Sequence, residues 1–144
     1  MTTLIDTGPL VALRDPAEPA HAISRSTLDS VSLPLLTTWP VFTEAMHLLG
    51  RSGGWRSQRE LWRLAEDGHL VVETPSAEAV ARSAKLMGKY ADRPMDLADA
   101  TLVALAEERG LRRIFTLDED FHVYRLNGRR AFEIVPRRPT TDLG

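Results

Sequence analysis

Short β-like runs alternate with longer helical patterns along this chain, and that alternation restricts the fold more than any other feature. "TTLID" (2–6), "SLPLLTTW" (32–39), "HLVVET" (69–74), "RRIFTLD" (112–118) and "AFEIVP" (131–136) read as strands. Helical signals stand between them. Thr7 can cap a helix and Pro9 suits its first turn. Pro40 starts a helix through "VFTEAMHLLG" that Gly50, Gly53 and Gly54 break, and a second arm at about 55–67 completes a helical hairpin. Ser76 opens an amphipathic helix with Ala77, Val80, Ala84 and Met87 on one stripe, and "RPMDLADATLVALAEERG" (93–110) supplies the last helix. Parallel strands need crossover segments, and helices between strands provide them, so the pattern predicts a three-layer α/β/α sandwich around a parallel sheet.

With 144 residues, 43% of them hydrophobic, the chain suits one single-core domain, here 1–136, with "RRPTTDLG" (137–144) as a frayed tail. There is no cysteine, which excludes disulfides and thiolate metal sites. No apolar stretch approaches the roughly 20 residues that cross a bilayer, and "MTTLIDTGPL" has no basic start, so a cytoplasmic protein is expected. A formal charge of −2 argues against coating nucleic acid by bulk electrostatics while permitting a local basic patch.

In such a sheet ligands bind beyond the carboxyl ends of the strands. Asp6 ends the first strand and Asp118 the fourth; Glu44 lies one turn into the helix after the second, and Asp99 in the first turn of the helix that feeds the fourth. Two like charges about 5 Å apart repel by roughly 3 kcal/mol at an effective dielectric near 20. Protons, basic side chains or divalent cations must offset that. The only lysines, Lys85 and Lys89, sit on the amphipathic helix, and oxygen ligands without His or Cys favour Mg²⁺ or Mn²⁺.

Each acid also has a structural reading. Asp6 could begin an Asx turn, Glu44 could be a solvated helix position, and Asp118 could end a strand with Asp120 as its rival. Asp96 follows Pro94 and Met95 and fits a helix N-cap rather than a ligand, accepting from Ala98 or Asp99 N–H. Asp99 then falls at the third helical position on an otherwise apolar segment, where a carboxylate needs a partner.

"LIDTGPLVAL", "TEAMHLL", "MDLADATLVALAEE" and "IFTLDEDF", in this order and spacing, resemble a PIN domain of the VapC toxin type over about residues 2–136. The resemblance implies a five-stranded parallel sheet and an Mg²⁺- or Mn²⁺-dependent endoribonuclease with acidic residues Asp6, Glu44, Asp99 and Asp118. Ions held by Asp6, Asp99 and Asp118, with Glu44 beside them, would activate water for in-line attack on an RNA phosphodiester, leaving a 5′-phosphate and a 3′-hydroxyl. It also implies a homodimer and a small antitoxin partner. Gly8 and Pro9 stand where many relatives carry a polar residue, which leaves Thr7 as the neutral contact, and Thr116, two residues before Asp118, is a candidate to orient substrate or water. Arg51, Arg56, Arg59 and Arg63 on the hairpin and Arg112, Arg113, Arg129 and Arg130 near the last strands could draw RNA to an acidic rim, while Trp55, Leu61 and Trp62 suit core packing, with a dimer or antitoxin surface as the second reading. A dehalogenase-type phosphatase needs a second aspartate where Gly8 stands, and a receiver domain needs a late lysine. The remaining rival is a non-catalytic PIN fold serving as an RNA-binding or scaffold module.

Overall fold

The computed structural model describes residues 1–137, so all of the expected tail except Arg137 lies outside the described residues. In chain order the elements are β1 (Thr3–Ile5), α1 (Thr7–Arg14), α2 (His21–Leu28), β2 (Leu35–Thr38), α3 (Trp39–Glu66), β3 (Leu70–Glu73), α4 (Ala77–Lys89), α5 (Leu97–Arg109) and β4 (Arg113–Phe115). A one-turn 3-10 helix (Glu119–His122), β5 (Arg125–Leu126), β6 (Arg130–Ala131) and β7 (Glu133–Val135) follow. β3, β2, β1, β4 and β7 form one sheet in that order, every pair parallel. Helices α1, α2 and α3 pack together and α4 packs on α5, giving the expected three layers.

The strand order carries the functional consequence. Succession runs outward from β1 to β2 and β3, then jumps to β4 on the other side of β1. The crevice of such a sheet opens where the order reverses, above the carboxyl ends of β1 and β4. Buried Leu4 and Ile5 of β1 and Ile114 and Phe115 of β4 anchor those two strands in the core. Helix α5 is buried from Ala98 to Ala106, so it stacks between sheet and α4 as an apolar rod.

Several details depart from the sequence reading. Asp6, not Thr7, caps α1: its Oδ1 accepts the Thr7 N–H at 2.8 Å. α3 runs helically through Gly50 and Gly53, and only Gly54, with φ of 63° and ψ of −157°, breaks it. The chain then doubles back, bringing the rings of Phe42 and Trp62 to 5.0 Å. Gly50 leaves room for the returning arm, since a Cβ there would meet Gln58 Nε2 at 2.5 Å and turn that side chain aside. Leu61 is buried as expected, but Trp55 at the turn is 63% exposed and does not pack in the core. The stripe Ala77, Val80, Ala84 and Met87 faces outward, and α4 buries Ala79, Ser83 and Leu86 instead. The small antiparallel pair β5–β6 was not anticipated, although its Asn127-Gly128 turn, with φ of 52° and 71°, is the strongest short hairpin signal a sequence carries. No described helix is long and apolar enough to cross a membrane.

Candidate active site

Three carboxylates meet at the switch point. Asp6 leaves the end of β1, Asp118 stands three residues beyond β4, and Asp99 sits in the first turn of α5. One oxygen of each lies within 4.8 Å of the others. The cleft they share, about 310 Å³, is also lined by Glu44, Asp96, Thr7 and Gly8, and no residue lining it is basic. Glu44 is the more open carboxylate, one turn into α3, with the Thr7 hydroxyl donating to its Oε2 at 3.4 Å.

Hydrogen bonds hold each member in place. Asp6 accepts from the Thr7 N–H on Oδ1 and from the Thr116 hydroxyl on Oδ2, both at 2.8 Å. Thr116 in turn accepts the Asp118 N–H at 3.0 Å, so one hydroxyl ties β1 to β4. Asp118 caps the following 3-10 turn by accepting the Asp120 N–H at 2.9 Å. Asp99 receives the Tyr124 hydroxyl on Oδ2 at 3.1 Å, and its backbone N–H goes to Asp96 Oδ1 at 2.8 Å.

Packing carboxylates together and burying Asp6 and Asp99 among them favours the neutral forms. Burial is the largest cause that lifts Asp99 from an ordinary 3.8 to about 8, with repulsion from Asp6, Asp96 and Asp118 adding to it. Burial also lifts Asp6 to about 6, although the hydrogen bonds from Thr7 and Thr116 oppose the rise. Glu44 is raised by burial and then by Asp96. The Tyr124 phenol is pushed up by burial first and by Asp99 next, which keeps it a donor. The cleft therefore attracts positive charge or protons.

This geometry has counterparts among known proteins. The PIN domain family model matches residues 3–126. This chain belongs to the PIN domain family. A curated relative, Ribonuclease VapC26 of Mycobacterium tuberculosis, is 31% identical over 134 residues, which cover 92% of this chain and 99% of that protein. Among solved structures, the M. tuberculosis VapC20 toxin, described as cleaving the sarcin-ricin loop, superposes with a TM-score of 0.79 at 20% identity, covering 85% of this chain and 94% of that one. VapBC2 of Rickettsia felis, solved on a DNA fragment from its promoter, gives a TM-score of 0.67 at 12% identity, covering 93% and 98%. The two structures share the PIN fold with this chain.

Within this PIN domain, all four acids expected from the sequence line one cleft, and Asp6, Asp99 and Asp118 form its tight trio. Asp96 caps α5 through the Asp99 N–H and also lines the cleft, adding a fifth carboxylate. Asp120, the rival of Asp118, is drawn away into an ion pair with Arg93 at 2.8 Å. Thr7 donates to Glu44 and Thr116 to Asp6, so both hydroxyls serve carboxylates. Sequence reasoning missed Tyr124; its position beyond "TLDEDF" gave no periodic or motif signal, and only the folded loop carries it to Asp99. Three hard oxygen donors within 4.8 Å, with no basic side chain lining the cleft, suit a small divalent cation of the Mg²⁺ or Mn²⁺ type.

Proposed function

We propose that this PIN domain is a divalent-metal-dependent endoribonuclease, the toxin of a VapBC-type pair. The observation that carries the reading is the trio Asp6, Asp99 and Asp118, gathered within 4.8 Å at the sheet's switch point without a basic residue in the cleft. A protein that only needed the scaffold would be more stable without that repulsion, so the trio supports catalysis over a purely structural module.

Asp6, Asp99 and Asp118 would hold Mg²⁺ or Mn²⁺, which would supply positive charge against the phosphodiester's developing negative charge and would acidify water. The chain's own residues do the rest. Thr7 N–H and the Thr116 hydroxyl fix both oxygens of Asp6, which keeps it from rotating away. Glu44 stands at the open side with Oε2 engaged by Thr7, leaving Oε1 to accept a proton from the attacking water. Its raised pKa strengthens it as a base. Arg51, Arg56 and Arg59 are exposed around the α3 turn with no ion pair among the described residues, whereas Arg63 pairs with Glu60 and Arg113 with Glu133. Arg112, Arg129 and Arg130 likewise make no ion pair among the described residues, so six of the eight candidate arginines keep their charge available to an RNA backbone.

Partners belong to the same reading. The outward stripe of α4, with Val80 60% and Met87 37% exposed, is an apolar surface suited to a second copy of the chain. An antitoxin is supported by the Klebsiella pneumoniae toxin-antitoxin complex that this fold superposes on with a TM-score of 0.65. The deciding experiment is RNA cleavage by the purified chain: activity with Mg²⁺ or Mn²⁺, loss in EDTA and return on adding metal. Undiminished cleavage in chelator would overturn the metal mechanism, and no cleavage of any RNA under metal would favour the binding module.

A further inference from the structure

Tyr124 is fully buried beside the trio, and its neighbours leave its ring little freedom. The ring packs edge-on against Tyr90 and against Phe121, each at 5.1 Å between centroids, and Phe121 is braced by Phe132 at 5.5 Å. Its backbone N–H is tied to the Asp120 carbonyl at 3.1 Å. Locked this way, the phenol makes one hydrogen bond among the described residues, to Asp99 Oδ2 at 3.1 Å. Asp99 has no other side-chain hydrogen bond among the described residues, so its carboxylate rotation depends on this donor.

We propose that Tyr124 is a positioning residue for metal binding: by holding Oδ2 of Asp99 it turns the carboxylate so that the trio presents its oxygens together. The inference rests on the reading of Asp6, Asp99 and Asp118 as metal ligands. Buried donors that orient a ligating carboxylate set affinity because an unheld ligand must be ordered each time an ion binds. Asp6 is already held by Thr7 and Thr116, and Asp118 contributes its own cap, so Tyr124 supplies the third anchor of the three.

The test is Mn²⁺ binding to the full chain, followed by isothermal titration and by the free-Mn²⁺ resonance signal, with thermal melts of the metal-free protein alongside. Tyr124→Phe should weaken Mn²⁺ binding by roughly tenfold or more. Tyr90→Phe is the control: it lies in the same aromatic stack, but its hydroxyl accepts the Arg125 N–H and touches no carboxylate, so it should lower the melt and leave affinity unchanged. Adding Tyr124→Phe to Asp99→Asn should weaken binding little beyond Asp99→Asn alone. Parental Mn²⁺ affinity in Tyr124→Phe with only a lower melt would overturn the proposal and leave the phenol a packed tyrosine with a satisfied hydroxyl. A loss from Tyr124→Phe that is just as large when Asp99→Asn is already present would also overturn it. A parent chain that binds no Mn²⁺ would instead sink the metal reading beneath it.

Discussion

Asp96 and Asp99 differ by three positions and divide two tasks between them. Asp96 accepts the Asp99 N–H and so starts α5, while Asp99 turns its carboxylate to Asp6, Asp118 and Tyr124. Asp96→Asn keeps a capping oxygen, and folding and cleavage should both survive; Asp96→Ala should cost about 1 kcal/mol in stability with a modest loss of rate. Asp99→Asn should fold and lose turnover by orders of magnitude, measured as paired melts and RNA cleavage rates at fixed Mg²⁺. A dead Asp96→Asn beside an active Asp99→Asn would reverse the assignment. The same residues set a pH dependence. Asp6 near 6 and Asp99 near 8 are both raised above 3.8, so the metal-free fold holds protons that the unfolded chain has released. Stability from that source is fully present below the unfolded pKa and is lost as pH rises through about 6 and then about 8. Melts of the metal-free parent should fall from about pH 4 to about pH 8, and Asp99→Asn should flatten the part of the fall above about pH 6. A parent with a level melt across that range would mean the cluster is not repulsive. These acids were legible because each sits just past a strand or at a helix start, where patterning locates the rim. Thr7 and Thr116 were named, but their carboxylate partners were not legible, nor was Tyr124 at all, because those roles depend on distances across the fold.

At the scale of elements, the hairpin in α3 shows why turn position outran the sequence. Three glycines marked a break, but helical geometry tolerates Gly50 and Gly53, and only Gly54 adopts a backbone that other residues rarely reach. Gly54→Ala should therefore lower stability by roughly 1–3 kcal/mol. Gly88→Ala, in the last turn of α4 with open space around its Cβ position, should instead raise it by about 0.5–1 kcal/mol. Urea melts of both variants check the contrast, and equal effects would contradict the placement of the turn. The outward stripe on α4 teaches a related lesson. Its periodicity was real, yet α5 is met by the neighbouring face with Ala79, Ser83 and Leu86, helped by Arg82 gripping Glu107 at 2.7 and 3.1 Å. Small and polar residues in the buried face hid it from a hydrophobicity pattern. Helix α2 was unreadable for the same reason, since its buried positions are Ser24 and Thr27.

The molecule as a whole was the most legible level, because alternation dictates a parallel sheet and the sheet dictates where the site lies. What alternation could not supply is the lateral order of strands, which places β1 in the middle and makes β1 and β4 neighbours. Self-association belongs at this scale. On the proposed self-association through α4, the parent should scatter as a dimer and Val80→Glu with Met87→Glu as a monomer, with the fold's circular dichroism unchanged. A double variant with parental mass would remove α4 as the contact. Divalent ions should also raise the melting temperature of the parent and not of Asp99→Asn, since binding to the native state alone adds stability. The central position of β1 has one more result. Asp6 is bound by a hydroxyl 110 residues further along, and Asp118 comes later still. A ribosome making this chain therefore emits the first carboxylate early and the last one late, with the cleft closing only when β4 slides in beside β1. If the proposed activity holds, it cannot begin until more than four-fifths of the chain has been made.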